Sequence, residues 1–210
     1  MSNYVDAHKL HGTTTVGLQC SDGVVLAADN RATAGFLYIA HRNVKKIAKI
    51  DDHVALTMAG TVADAQNMVD ILRYHANTYK LQNRRPIPIR SCARLASNIF
   101  FANRFYPYVI ELLVGGHDGN PELYKIDLFG SVNKEKFVST GSGSFVAYGI
   151  LENEFKEGID VEEGAKIAAR AIHAAILRNA GTGDGIDVVI IDKNGYRELS
   201  REEKSSIILK

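Results

Sequence analysis

Gly12-Thr13-Thr14-Thr15-Val16-Gly17-Leu18 is the point where a polar leader gives way to a β-branched run. β-Branched side chains favour extended backbone, so Thr13 to Leu18 reads as a β-strand. The same residues have a chemical reading. Were the chain cut after Gly12, Thr13 would carry a hydroxyl and a free α-amine on one residue. An α-amine titrating near pH ~8 can take the hydroxyl proton without a histidine. Taken alone, the tripeptide is more simply a strand start, so the surrounding sequence has to decide.

Outward from this stretch, Gly23 to Ala28 follows a Ser21-Asp22-Gly23 turn and predicts a hairpin with the first strand. Further strands are expected over Val44 to Ile50 and Val54 to Ala59, broken at Asp51-Asp52. Ala65, Met68, Val69, Leu72, Ala76 and Tyr79 then recur at intervals of three and four, which predicts a helix over Ala63 to Leu81. A second helix fits Arg90 to Arg104, bounded by Pro86, Pro88 and Pro107, and should pack beside the first. Tyr108 to Gly115 and Leu123 to Leu128 read as a hairpin around His117-Asp118-Gly119-Asn120-Pro121. Helices over Phe145 to Phe155 and Val161 to Asn179 follow, then an apolar strand over Ile186 to Asp192 and a Lys193-Asn194-Gly195 turn.

Strands and helices therefore come in runs rather than in βαβ alternation. Two antiparallel sheets face to face, with helices on both outer faces, would bury every apolar stripe: an α+β fold with a four-layer αββα sandwich. At 210 residues and 46% hydrophobic content the chain can bury one full core. Residues 13 to 210 are expected to form that single domain, and Met1 to Gly12 a disordered end or a removable cap.

Charge and composition exclude several functions. The 25 Lys and Arg nearly balance 24 Asp and Glu, so no long-range field invites nucleic acid or an anionic membrane. The two cysteines, Cys20 and Cys92, have no CxxC neighbour, and the leader carries Asp6, His8, Lys9 and His11 in place of an apolar signal core. A reduced, cytoplasmic protein is expected, with no run near the ~18 apolar residues of a membrane span. The seven histidines show no ligand spacing beyond His8 and His11, so neither a metal nor another cofactor is expected.

Five further segments could carry chemistry, each with a plainer reading. Asp29-Asn30-Arg31-Ala32-Thr33 leaves the second strand as a polar turn or as the edge of a cleft. Alternation at Lys45-Lys46 turns one lysine inward, where it needs a partner, and Asp29 is available; a solvated edge is the other reading. Thr57-Met58-Ala59-Gly60-Thr61 joins strand to helix with small residues that let backbone amides approach a ligand. Ser139-Thr140-Gly141-Ser142-Gly143-Ser144 is hydroxyl-rich but lacks the lysine of a phosphate loop. Gly181-Thr182-Gly183-Asp184-Gly185 reads first as a helix-to-strand connection.

Together with Gly12 to Gly17, the first four of these segments, with Asp64 after the third, occur in an order and spacing that resemble a β-type subunit of the 20S proteasome, of the archaeal kind, and the resemblance runs from Gly12 to the end of the chain. That resemblance implies the N-terminal-nucleophile hydrolase fold, which agrees with the layer argument. It implies a threonine endopeptidase made as a zymogen, with Thr13 exposed by autocatalytic cleavage after Gly12. By the same resemblance Lys46 is the active-site lysine and Asp29 its acidic partner, keeping the lysine charged. Gly60 supplies the oxyanion N–H, and Ser142, Asn179 and Thr182 surround the N-terminal amine. Arg31 and Thr33 support the substrate, and Ala32, Val44, Ala48, Met58 and Val62 form an apolar pocket for the residue before the cut, hence a hydrophobic preference. The implied partners are other β subunits in a seven-membered ring, α-type subunits, a regulatory ATPase complex and unfolded protein substrates.

Two departures from the family pattern bear on activity. Phe36 to Val44 is one residue longer than in the family. Asn179 stands where the family has an aspartate, and Thr182 where it has a serine. Losing that negative charge predicts slow maturation or low activity, restored by Asn179→Asp. A structural β subunit whose leader stays attached, the bacterial two-ring relative partnered by an unfoldase, and a small-molecule amidase of the same fold remain open at this point.

Overall fold

A computed structural model describes residues 12–34 and 38–208. The leader up to His11, and Phe36 within the lengthened segment, lie outside the described residues. Strands β1 (Thr15–Gln19) and β2 (Gly23–Asp29) form the expected hairpin, with Thr15 opposite Ala28 and Gln19 opposite Val24. They are central in a five-stranded antiparallel sheet completed by β10 (Phe137–Thr140), β11 (Ile186–Asp192) and β12 (Gly195–Glu198), in the order β10-β1-β2-β11-β12. A second five-stranded antiparallel sheet runs in sequence order through β5 (Ile47–Asp51), β6 (Val54–Gly60), β7 (Ile110–His117), β8 (Pro121–Ile126) and β9 (Val132–Lys134). A short ribbon pairs β3 (Ala32–Ala34) with β4 (Tyr38–His41).

Side-chain alternation explains how the sheets stack. On β2, Val24, Leu26 and Ala28 point into the layer between the sheets, while Val25 and Ala27 point outward to the helices. On β11, Val189 and Ile191 take the inner face and Ile186, Val188 and Ile190 the outer one. From the other sheet, Ala55, Leu113 and Leu123 meet the inner layer, and Leu56, Leu112, Val114 and Ile126 face outward. Helices α1 (Val62–Asn83) and α2 (Ile89–Ala102) cover the second sheet through Met68, Leu72, Ala96 and Phe100. Helices α3 (Ser144–Glu154) and α4 (Val161–Arg178) cover the first. Ala165, Ala168, Ala171 and Ala175 are all fully buried on α4, and their small size lets its axis lie close to the strands. Three apolar layers separate four layers of structure, and the fold is the αββα sandwich.

Most expected elements agree with the structure to within a few residues at their ends. The strand expected from Val44 starts only at Ile47, because the Val44 N–H is drawn to the Asn30 carbonyl at 2.9 Å. Lys45 and Lys46 therefore sit in irregular chain before the strand. Five short pieces had no counterpart in the sequence reading: β3, β4, β9, β12 and a helix α5 (Arg201–Ile208). β10 likewise has no counterpart; only its last two residues, Ser139 and Thr140, enter the segment read as hydroxyl-rich. These elements are three to eight residues long, too short for a hydrophobic period to declare itself.

Candidate active site

Thr13 lies two residues before β1, 4% exposed, in the wall of a cavity of about 760 Å³. Its position follows from the hairpin, since Thr14 and Asp29 close the end of the β1–β2 ladder. The Thr14 N–H donates to Asp29 Oδ1 at 2.9 Å, and the Asp29 N–H to the Thr14 carbonyl at 3.2 Å. Asp29 is fully buried and accepts two more backbone donors on Oδ2, from Arg31 at 3.0 Å and Gly183 at 2.9 Å. Its acceptor sites are thus filled by the protein without solvent.

Of the two adjacent lysines, Lys46 is the one that points inward. Its Nζ lies 2.7 Å from Asp29 Oδ1, with the side chain 6% exposed, whereas Lys45 is 58% exposed and pairs with Glu198 and Asp187. Burial pushes the Lys46 ammonium below its ordinary value; the charge and hydrogen bond of Asp29 oppose this without reversing it, and Arg31 adds to the lowering. Asp29 thus limits the loss of the lysine's charge. Lys46 also donates to the Gly12 carbonyl at 3.5 Å.

The hydroxyls and amide expected around the Thr13 nitrogen converge there. The Thr13 N–H donates to Ser142 Oγ at 3.3 Å, and Ser142 Oγ donates to Asn179 Oδ1 at 3.0 Å. Asn179 Oδ1 accepts as well from Thr182 Oγ1 at 2.9 Å and from the Gly181 N–H at 3.1 Å. Its Nδ2 donates to the Ser142 carbonyl at 3.1 Å, a bond an aspartate could not make. Asn179 ends helix α4, so this side of the site is positioned by the α4–β11 connection.

Gly12 is gripped from three directions. Its N–H donates to Thr33 Oγ1 at 2.9 Å, and its carbonyl accepts from Thr13 Oγ1 at 2.7 Å. Its α-carbon crosses Gly181 so closely that a Cβ on Gly12 would lie 2.1 Å from the Gly181 Cα. Gly60, at the end of β6, has φ of +139°, and a Cβ there would lie 2.0 Å from the Val109 carbonyl oxygen. Only glycine fits at that corner of the cavity wall.

Thr13, Gly60, Ala32, Thr33, Val44, Lys46, Ala48, Met58 and Val62 all line the one cavity. Arg31 does not. Its guanidinium donates instead to Asp184 at 2.7 Å and to the Ala180 carbonyl at 2.9 Å, bracing the loop that supplies Gly181 and Gly183. The expected all-apolar wall is also incomplete, for Gln66, Asp70 and Arg73 from α1 and Tyr196 and Glu198 from β12 reach its far end. Nothing in the sequence marks β12 as part of this cavity, since it is brought there only by the sheet order. The contributions of the Thr14 and Gly183 amides are likewise invisible in the sequence, being backbone groups. Among the described residues there is no group of three or more His, Cys, Asp or Glu able to hold a metal ion, and no helix long and apolar enough to cross a membrane.

Comparison with known proteins places this geometry in context. A family model described as "Proteasome subunit" matches residues 9–191. The chain is 58% identical to "Proteasome subunit beta 2" of Nitrosopumilus maritimus over 209 residues, 99% of each chain. It is 52% identical to "Proteasome subunit beta 2" of Aeropyrum pernix over 187 residues, 89% of this chain and 85% of the relative. To "Proteasome subunit beta 1" of Thermococcus sibiricus it is 46% identical over 202 residues, 96% of this chain and 97% of the relative.

Proposed function

Because this chain belongs to the proteasome subunit family, as a β-type member of the archaeal kind, we propose that it is a threonine endopeptidase of the core particle whose nucleophile is Thr13. The observation that carries this reading is the meeting of Thr13 Oγ1, the Gly12 carbonyl and the Lys46–Asp29 pair within hydrogen-bond reach. In the precursor, Thr13 Oγ1 attacks the Gly12 carbonyl carbon, and the peptide bond becomes an ester as the Thr13 nitrogen leaves and takes up a proton. Water then hydrolyses the ester, releasing Met1 to Gly12 and freeing the amine. In the processed chain that amine accepts the Thr13 hydroxyl proton as Oγ1 attacks a substrate peptide bond. The Lys46 ammonium favours the deprotonated forms of both groups, and Asp29 holds it in place. The Gly60 N–H receives the developing oxyanion, a contact worth roughly 3 kcal/mol in hydrolases. Ser142, Asn179 and Thr182 orient the amine.

The apolar side of the cavity, Ala32, Val44, Ala48, Met58 and Val62, favours a hydrophobic residue before the cut. Its far end is charged and of mixed sign, with Lys45, held by Glu198 at 3.1 Å, Lys49 and Arg73 set against Asp70 and Glu198. Residues 13–210 act as one catalytic domain, assembled with other β subunits in a seven-membered ring, capped by α-type subunits and fed unfolded protein by a regulatory ATPase in the cytoplasm. Co-expression with an α-type partner tests the reading. Intact mass should show a chain beginning at Thr13, and fluorogenic peptides should release faster after Leu, Phe or Tyr than after Arg or Glu. A chain still beginning at Met1 would make it a structural subunit; faster release after Arg or Glu would overturn the pocket assignment.

Asn179 makes the site differently charged rather than incomplete. The sequence-based expectation that Asn179→Asp speeds maturation meets the Nδ2 bond to the Ser142 carbonyl, which the exchange would replace with two acceptors 3.1 Å apart. We therefore expect Asn179→Asp to slow leader removal. A carboxylate there also favours the protonated amine, so a higher pH is needed to free the base. The acid limb of the peptidase profile should move upward by up to about one unit. Faster processing, or an acid limb that stays in place, would show that the asparagine does not act through its charge and its amide.

A further inference from the structure

Resting on that peptidase reading, we propose that Thr14 is a positioning residue whose hydroxyl fixes the amine-orienting groups relative to the lysine. Thr14 is fully buried and joins both halves of the site. Its N–H donates to Asp29 Oδ1, the same oxygen that holds Lys46 Nζ at 2.7 Å. Its hydroxyl lies 2.7 Å from Thr182 Oγ1.

The direction of that last bond follows from proton count. The Thr182 proton is committed to Asn179 Oδ1 at 2.9 Å, so the proton between the two threonines belongs to Thr14. Thr14 O–H thus donates to Thr182, Thr182 to Asn179, and Ser142 to the same Asn179 oxygen, while Ser142 accepts from the Thr13 nitrogen at 3.3 Å. The chain of hydroxyls leaves the backbone at residue 14 and returns to it at residue 13. Such a ring has little freedom, because each member is satisfied only if the others hold station.

Glycine at residue 143 leaves the room that these two hydroxyls occupy. A Cβ on Gly143 would lie 2.1 Å from Thr14 Oγ1 and 3.0 Å from Thr182 Oγ1, so the two hydroxyls fill the space that a side chain at residue 143 would need. Gly143 also donates its N–H to the Thr13 carbonyl at 3.4 Å. Without its hydroxyl, residue 14 would leave Thr182 and Asn179 free to shift while Asp29 and Lys46 stayed put. The Thr13 amine would then lose its alignment with its own hydroxyl. Thr14 is not part of the cavity wall, so substrate binding should be spared.

The test uses the full chain co-expressed with an α-type partner and a fluorogenic peptide ending in Leu. Thr14→Val keeps the shape and removes the donor; we expect kcat to fall about tenfold, the effect of one buried hydrogen bond, with KM within twofold of the parent. Thr14→Ser should return kcat to within about threefold. Thr182→Val breaks the same chain from the other side, and its effect should not add to that of Thr14→Val. Thr14→Val as fast as the parent, Thr14→Ser as slow as Thr14→Val, or a loss confined to KM would each overturn the proposal while leaving the peptidase reading intact. A parent chain that is inactive and still begins at Met1 would overturn both. Should Thr14→Val fail to assemble, Thr14→Ser and Thr182→Val decide alone: parental kcat in Thr182→Val overturns the proposal.

Discussion

Lys46→Ala is expected to leave the Gly12–Thr13 bond uncut and to lower peptidase turnover at least a thousandfold in a chain supplied already processed, roughly the loss seen when a nucleophile's activating group is removed. The reason lies in what the lysine faces. Its Nζ is the one side-chain cation within hydrogen-bond reach of Asp29 and of the Gly12 carbonyl among the described residues. Breaking a buried ion pair usually destabilises a protein by about 3–5 kcal/mol, because the remaining charge is stranded. Here Asp29 keeps three backbone donors, from Thr14, Arg31 and Gly183, so the cost should fall at the low end of that range and the fold should survive. Lys46→Arg should not rescue activity, since a guanidinium is larger than the 6%-exposed slot and holds its proton more firmly. Intact mass, thermal melting and peptide turnover check the three parts separately. Turnover above a tenth of the parent's in Lys46→Ala would remove the lysine from the mechanism.

What the sequence discloses about this site depends on whether a residue acts through its side chain or through its place in the chain. The cost of an unpaired inward lysine suggests that one of Lys45 and Lys46 pairs with Asp29, but the family resemblance, not strand alternation, selects Lys46, since both lysines precede β5. The core strands and the four long helices were legible because apolar residues recur at period two or near 3.6 over many residues. Arg31 is ambiguous in the sequence for the opposite reason: a long cation beside a cleft can reach either way, and here Asp184 and the Ala180 carbonyl take it. The charged end of the cavity is not legible in the sequence, because Tyr196 and Glu198 arrive on β12, whose place beside β11 is a matter of sheet order. Asn179 shows a subtler limit. Its type suggested a missing charge, and only its neighbours reveal that the amide is used at both ends.

Gly12→Ala should stall leader removal by a hundredfold or more without harming the mature site. The added Cβ would lie 2.1 Å from the Gly181 Cα and 2.3 Å from its carbonyl oxygen, both backbone atoms that no rotamer change can clear. Relief must come from moving residue 12, which carries the carbonyl held 2.7 Å from Thr13 Oγ1 and the N–H held 2.9 Å from Thr33. A displacement near 1 Å at a reacting carbonyl costs about 10²-fold in rate. The crossing is reciprocal, and Gly181→Ala should stall the precursor too, since its Cβ would lie 2.4 Å from the Gly12 Cα. The two variants part company once the leader is gone. In a chain released directly at Thr13 from a cleavable fusion, residue 12 is absent, and the nearest atom to the Gly181→Ala Cβ would be Asn179 Oδ1 at 3.3 Å. Peptidase activity should then return to within a few-fold of the parent, so that the Gly12–Gly181 crossing governs the release of the nucleophile and not its use. Normal processing of either precursor, read by intact mass, would mean that the scissile bond is not held in this geometry when it is cut.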